Sequence, residues 1–439
     1  MFMTIETKDD RDGKEITEEY QFIQEEIAQK KKEKWVKFIV KTIIAAVLFG
    51  VFGGMVFAWS GSFFLGVFQN DDINGKTISF TTEKPEKTAE PKETEKADAA
   101  EEKRTENKND SKKEVFTVRN YAEAFSEMSV LADNINESIV TVSGMTEGQD
   151  LFDNPVETEN ATYGVVIANN EKDILILTNY TKIKDAKQLQ VTFAGNKSVK
   201  ARLYGSDSGI DLAVVGVSLS KLPQDIRGKV KIVRLGDSYD SGAGTVVMAL
   251  GSPNGHIYSM DIGFISGNYL DKYIVDYKLE LYNTSMQNYE KGEGIVVNLK
   301  GEIIGVITHN FTEDSSKTLH TFLGISRLKP VIEKMVNKQE QVYVGIIGND
   351  VDSEYTTDFG VASGVYVTEV VADSPAYNAD LKPGYLITEV NGEIVNSMIS
   401  YYSILSECKV DDKIKLTVID TTASKPKEKK IIVTAEKRK

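Results

Sequence analysis

The chain has 439 residues, of which 41% are apolar and 27% charged, and its net charge is -14. That length exceeds one ordinary domain, and the apolar share supplies cores for two or three folded units. The acidic balance offers no basic face for phosphate and argues against nucleic acid as a partner, while the single cysteine, Cys408, excludes an intrachain disulfide and a Cys-based metal site.

Residues 1–34 read as a cytoplasmic segment. Within it, 15–34 form a short charged helix in which acidic residues lead and lysines close, the order that complements a helix dipole. Residues 35–69 hold a transmembrane helix and its flanks. No residue from 42 to 69 is charged, and roughly 20 apolar helical residues span a bilayer. A signal peptide would have a shorter apolar run, nearer the N-terminus and closed by a cleavage site, so a retained anchor is expected. Lys30, Lys31, Lys32, Lys34, Lys37 and Lys41 crowd one flank, and Asp71 and Asp72 follow the other. The positive-inside rule then leaves the N-terminus cytoplasmic and everything after residue 69 extracytoplasmic, with Trp35 and Trp59 at the interfaces. Residues 70–117 are rich in Lys, Glu, Thr, Ala, Asp and Pro and read as a disordered linker, because such a composition buries too little surface to offset chain entropy.

From 118 to 338 short β-rich runs recur between Gly, Asn and Asp turns: 139–142, 163–167, 174–178, 189–193, 212–217, 246–250 and 303–307. This spacing predicts a mainly β domain, a barrel or sandwich of double-barrel size closed by a helix over 328–337. A second module spans 341–437, with strands at 342–346, 364–370, 385–390 and 413–418 and helices near 375–380 and 398–408. Cys408 closes the second of these helices and reads as a small buried apolar residue.

Six motifs in order resemble those of the HtrA (Deg) family of serine proteases. Ile176-Leu177-Thr178-Asn179-Tyr180-Thr181 is similar to I-L-T-N-x-H. Gly205-Ser206-Asp207 and Asp211-Leu212-Ala213-Val214-Val215 resemble the aspartate motif. Leu235-Gly236-Asp237-Ser238 and Ala249-Leu250-Gly251-Ser252-Pro253-Asn254-Gly255 resemble L-G-D-S and A-I-G-N-P-x-G. Glu290-Lys291-Gly292-Glu293-Gly294 lies where G-N-S-G-G is expected, and Gly301-Glu302-Ile303-Ile304-Gly305-Val306 follows it. The resemblance implies a trypsin-like double β-barrel.

A Ser-His-Asp triad needs an oxygen nucleophile, an imidazole that takes its proton, and a carboxylate that orients the imidazole. Carried over residue by residue, the triad positions are Thr181, Asp211 and Gly292, so only the aspartate survives. Glu290 replaces an oxyanion-hole glycine. The Thr181 hydroxyl is expected to satisfy Asp211 in place of an imidazole. None of His256, His309 and His320 falls in the histidine motif, and a relocated Ser252 or Ser285 with a lysine base has no sequence support.

The second module resembles a PDZ domain. Tyr343-Val344-Gly345-Ile346 is similar to its carboxylate-binding loop, and Met398, Tyr402 and Leu405 would line the facing helix of the peptide groove. Ser374-Pro375-Ala376, Leu381-Lys382-Pro383-Gly384 and Val390-Asn391-Gly392 complete the pattern. Asp380 and Tyr385 depart from the usual Gly and Asp.

The resemblance implies peptides or unfolded-protein C-termini as partners, the membrane through the N-terminal helix, and a homotrimer or a mixed trimer with an active relative, assembled around 121–125. No cofactor and no metal are expected. Three readings stand at this point. The first is a tethered pseudoprotease acting as scaffold or regulator in envelope protein quality control. The second is a serine-type endopeptidase with an unorthodox site, and the third is an envelope spacer.

Overall fold

The computed structural model describes residues 76–81, 117–149, 155–267, 269–311, 318–351, 363–422 and 425–438. The expected cytoplasmic segment, the expected transmembrane helix and most of the expected linker lie outside the described residues. Among the described residues no helix is long and apolar enough to cross a membrane.

Residues 76–81 depart from the disordered linker expected there. Ile78 and Phe80 pack on the main core, and their N–H groups donate to Asn337 Oδ1 (2.9 Å) and Glu333 Oε2 (3.0 Å). Two alternating apolar residues in an otherwise charged stretch are what permits this docking.

The first long element is helix α1, Val118–Asn136, which the sequence pattern did not mark. It starts with a capping box in which the Thr117 and Asn120 side chains each accept the other's backbone N–H. Of its residues only Ala132 and Ile135 are buried, so its periodic signal is weak.

Strands β1 (Ile139–Gln149), β2 (Pro155–Asn169), β3 (Asp173–Asn179), β4 (Gln188–Phe193), β5 (Lys197–Asp207) and β6 (Leu212–Ser218) form a closed barrel in the order β1-β2-β3-β6-β5-β4. Strands β3 and β6 are apolar on both faces because each serves two cores. Ile174, Ile176, Ala213, Val215 and Val217 fill the barrel, while Leu175, Leu177, Leu212 and Val214 face a second core. Each fully buried Val, Leu or Ile contributes roughly 1.5–3 kcal/mol, so this shared layer holds the barrel to its neighbour.

That neighbour is a seven-stranded sheet in the order β8-β7-β11-β12-β13-β10-β9. Its strands are β7 (Val246–Ser252), β8 (Ser259–Phe264), β9 (Leu270–Ile274), β10 (Tyr277–Gln287), β11 (Glu293–Val297), β12 (Ile303–Thr308) and β13 (Leu319–Gly324). A four-residue helix, α2 (Gln224–Arg227), precedes this sheet, and helix α3 (Ile325–Val336) follows it, with Leu328, Val331, Ile332, Met335 and Val336 in the shared core.

The second module pairs β14 (Val342–Tyr343) with β21 (Glu436–Lys437). It also orders β15 (Ile346–Val351), β16 (Gly364–Val370), β17 (Tyr385–Val390), β19 (Lys413–Asp420) and β20 (Lys427–Thr434) into one sheet, with β18 (Glu393–Ile394) paired to β17. Helices α4 (Pro375–Asn378) and α5 (Met398–Glu407) pack on it, capped by Ser374 and Ser397. Asp380 adopts φ +60°, so it supplies the left-handed turn that the motif usually gives to glycine.

Within the sheet side of the first domain, Arg327 Nε meets Glu280 Oε1 at 3.0 Å, both nearly buried. Burial pushes the Glu280 carboxyl up, against the pull of the arginine. Removing one partner of such a pair strands a charge. Arg327→Ala is therefore expected to lower stability by about 3–5 kcal/mol. Pairing Arg327→Met with Glu280→Leu should recover most of that loss in urea unfolding. A single-variant loss under about 1 kcal/mol would contradict the assignment.

Candidate functional site

The antiparallel register of β3 and β6 sets Asn179 opposite Leu212, which brings the turn after β3 against Asp211. The Asp211 carboxylate accepts the Thr181 backbone N–H at 2.6 Å and the Asn179 amide Nδ2 at 3.3 Å. Its own carbonyl accepts the Tyr180 N–H at 3.2 Å. The hydroxyl of Thr181 is thus not the donor expected from sequence. The backbone amide satisfies the carboxylate, and the Thr181 side chain is exposed. Asp211 sits at φ +55°, a left-handed conformation for a non-glycine residue, and these three bonds help to hold it there.

Gly292 lies just before β11, at the end of a turn whose Gly292 N–H donates to the Tyr289 carbonyl at 2.7 Å. A Cβ on residue 292 would stand 2.3 Å from the Pro253 carbonyl oxygen, 2.8 Å from His320 Cε1 and 3.0 Å from the Tyr289 oxygen. Two of these are backbone atoms that cannot step aside as a flexible side chain would. The position therefore lacks a nucleophile and also lacks the volume for one. Its N–H, which in a triad enzyme would point at a developing oxyanion, is already bonded inside the turn. Glu290 is exposed in the same turn.

Two histidines outside the expected motif stand around this glycine. His309 Nε2 bonds the Gly292 carbonyl at 2.5 Å, and His320 Nε2 bonds the Pro253 carbonyl at 3.0 Å. A carbonyl only accepts, so each Nε2 carries the proton. His320 is fully buried, and burial holds its pKa below the ordinary histidine value. His256 is exposed on its loop.

The feature that motif reading missed is Glu293. Its carboxylate accepts the Thr162 hydroxyl at 2.5 Å and meets Lys182 Nζ at 3.2 Å, which ties β11 of the sheet to the barrel next to Thr181. Lys182 is half exposed, so that pair contributes at most about 1 kcal/mol, whereas the hydroxyl–carboxylate bond is of the stronger, charge-assisted kind. Between the two walls Tyr163 is fully buried. Its pKa is raised by burial first and then by the charges of Glu293 and Asp211. The signal was present in sequence as a glutamate in a motif position that calls for glycine.

The PDZ loop holds a second surprise. The Val344, Gly345 and Ile346 N–H groups donate to the carboxylate of Asp276 at 2.9, 2.8 and 3.1 Å, and the Asp276 N–H donates to the Ile346 carbonyl at 2.7 Å. Asp276 lies in the turn between β9 and β10 and is fully buried. Tyr343, just before those three donors, is half-buried. Of the expected groove residues, Met398 and Leu405 are buried in the PDZ core, and the Tyr402 ring packs edge-on against Tyr277 of β10 at 4.2 Å.

Two outcomes follow from the glycine and its histidine. Gly292→Ser is expected to lower stability by about 1–3 kcal/mol, as overpacking does, and to gain no labelling by a serine-directed phosphonate. A stable, labelled variant would refute the geometry. For His320 the depressed pKa favours the neutral folded form. Its contribution is full above the unfolded pKa of about 6.5 and is lost as pH falls through the folded value. Denaturant midpoints at pH 7.5 and 5.5 should differ more in the wild type than in His320→Gln, and equal differences would remove the effect.

Comparison with known proteins places these features. Residues 162–306 match the trypsin-like peptidase domain family, and residues 335–428 match the PDZ domain family. A DegP-like periplasmic serine endoprotease of Marinomonas is 26% identical over 341 residues, covering 75% of this chain and 68% of the relative. The Do-like serine protease HtrA of Lactobacillus helveticus is 26% identical over 399 residues, covering 86% and 92%. The structure of the HtrA-type protease AlgW with a decapeptide superposes with a TM-score of 0.51 at 19% identity, covering 71% of this chain and 98% of that one, a likeness of fold. A trypsin-like peptidase domain followed by a PDZ domain, aligned with such relatives over most of its length, makes this chain a homologue of the HtrA and DegP proteins.

Proposed function

We propose that this chain is a membrane-tethered, extracytoplasmic HtrA-like pseudoprotease. In this reading it binds peptides or unfolded-protein C-termini through its PDZ domain and acts as scaffold or regulator in envelope protein quality control. The observation that carries the reading is the filled space at Gly292, where the Pro253 carbonyl oxygen occupies the place of a side chain. Beside it, Thr181 offers no base near neutral pH, and the Gly292 N–H is spent on Tyr289. Tethering rests on the uncharged run at 42–69 with lysines on one flank and aspartates on the other, ahead of a barrel domain over 118–338 and a PDZ domain over 341–437. Assembly as a homotrimer, or as a mixed trimer with an active relative, belongs to the same reading. It is supported by Tyr121 and Phe125, which are exposed on α1 with ring centroids 4.8 Å apart.

The serine proteases among its relatives favour a second reading, an endopeptidase with an unorthodox site. The structural observation on its side is His320, an imidazole beside Gly292 whose Nδ1 has no hydrogen-bond partner.

The full chain, purified in detergent, is expected to leave casein intact and to take up no serine-directed phosphonate. Turnover that disappears in His320→Gln would establish the second reading and end the first. Alkaline carbonate should leave the protein in the membrane fraction, and release into the soluble fraction would remove the tether.

A further inference from the structure

We infer that the PDZ carboxylate loop is occupied in cis by the β9–β10 hairpin, with Asp276 standing in for the C-terminal carboxylate of a peptide, so that ligands bind only by displacing it. The inference rests on the peptide-binding part of the proposed function and adds its regulation.

A PDZ groove recognises a peptide terminus in two ways. The loop N–H groups converge on the carboxylate, and the peptide backbone pairs with the neighbouring strand. Asp276 satisfies both requirements. Its two carboxylate oxygens take the three N–H groups of Val344, Gly345 and Ile346, with the Tyr401 hydroxyl at 3.3 Å. Its backbone N–H reaches the Ile346 carbonyl, the first residue of β15, at 2.7 Å. Gly345 adopts φ +94°, which turns its N–H into the same concavity. Each backbone N–H is a single donor, so a peptide carboxylate has no free donor in this loop while Asp276 is bound.

The rest of the hairpin fits the groove as a ligand would. Lys278 bridges Asp271 on β9 (2.7 Å) and Asp350 on β15 (2.9 Å). Asp350 in turn accepts the Met398 N–H at the start of α5 at 2.6 Å. Tyr277 lies against Tyr402, and Tyr273 packs on the PDZ core. The hairpin thus contacts both walls that a peptide would use, β15 and α5. Arg438 fastens the arrangement from the chain's other end, donating to the Val275 carbonyl at 3.0 Å and pairing with Asp207 at 2.9 Å.

The test uses the full chain and a pool of fluorescent decapeptides with free C-terminal carboxylates and varied last residues, with the amidated pool as control. Asp276→Gly keeps the turn's left-handed conformation accessible and removes the competing carboxylate. The variant is expected to bind the free-acid pool at least about ten-fold more tightly than the wild type, because apparent affinity scales with the fraction of open loops. The amidated pool should show no such gain. Equal affinity in the two proteins would overturn the inference and leave peptide binding intact, whereas binding by neither would overturn peptide recognition itself. The wild type supplies a readout that does not depend on the variant's folding. Saturating free-acid peptide should accelerate amide hydrogen exchange across residues 270–278, and unchanged exchange with peptide bound would overturn the displacement.

Discussion

The start of β11 is governed by the close approach of the Pro253 carbonyl to Gly292. Strands β7 and β11 pair with Ser252 opposite Glu293 and Gly251 opposite Gly294, so the two backbones meet where a trypsin-like enzyme would project its serine. Gly294 shares the constraint: at φ +149°, a Cβ there would fall 2.2 Å from the Leu250 carbonyl oxygen. Once a side chain at 292 is excluded, the surrounding groups serve other ends. The His309 and His320 imidazoles hold backbone carbonyls, and the Gly292 N–H closes a turn. Each bond is ordinary, and together they tie the side chains around Gly292 to the backbone of the sheet.

The carboxylates tell the same story. Asp211 bonds the Thr181 N–H and the Asn179 amide, and it organises the backbone of the turn that follows β3. Glu293 replaces a residue without a side chain and reaches across to Thr162 and Lys182. As an acceptor that carboxylate pins the barrel to the sheet. Buried polar groups need partners, and in this cleft the partners are structural.

Much of the fold was legible because period and burial agree. The two-sided apolar runs of β3 and β6 read as strands, since each faces two cores. Strands β16, β17 and β19 and helix α5 fell close to their expected places, whereas the single strand expected at 342–346 divides into β14, a turn at Gly345 and the start of β15. Other elements left little trace. Strand β5 carries lysines and an arginine on its exposed positions, and α1 buries only Ala132 and Ile135. The hairpin of β9 and β10 mixes charge into its buried face, since Lys278 and Glu280 find partners only in the folded chain. Asp276 was illegible for the same reason: its donors lie 68 to 70 positions away, and an aspartate at a hairpin turn is unremarkable until the loop above it is known.

The hairpin gives the two domains a common element. At one end its turn fills the PDZ loop, while strand β10 pairs with β13, where the Thr284 hydroxyl bonds the His320 carbonyl at 3.0 Å. His320 in turn stands against Gly292. Occupancy of the PDZ loop and packing around Gly292 therefore bear on one ribbon of chain. In this protein the far end of the ribbon meets a site with no room for a serine.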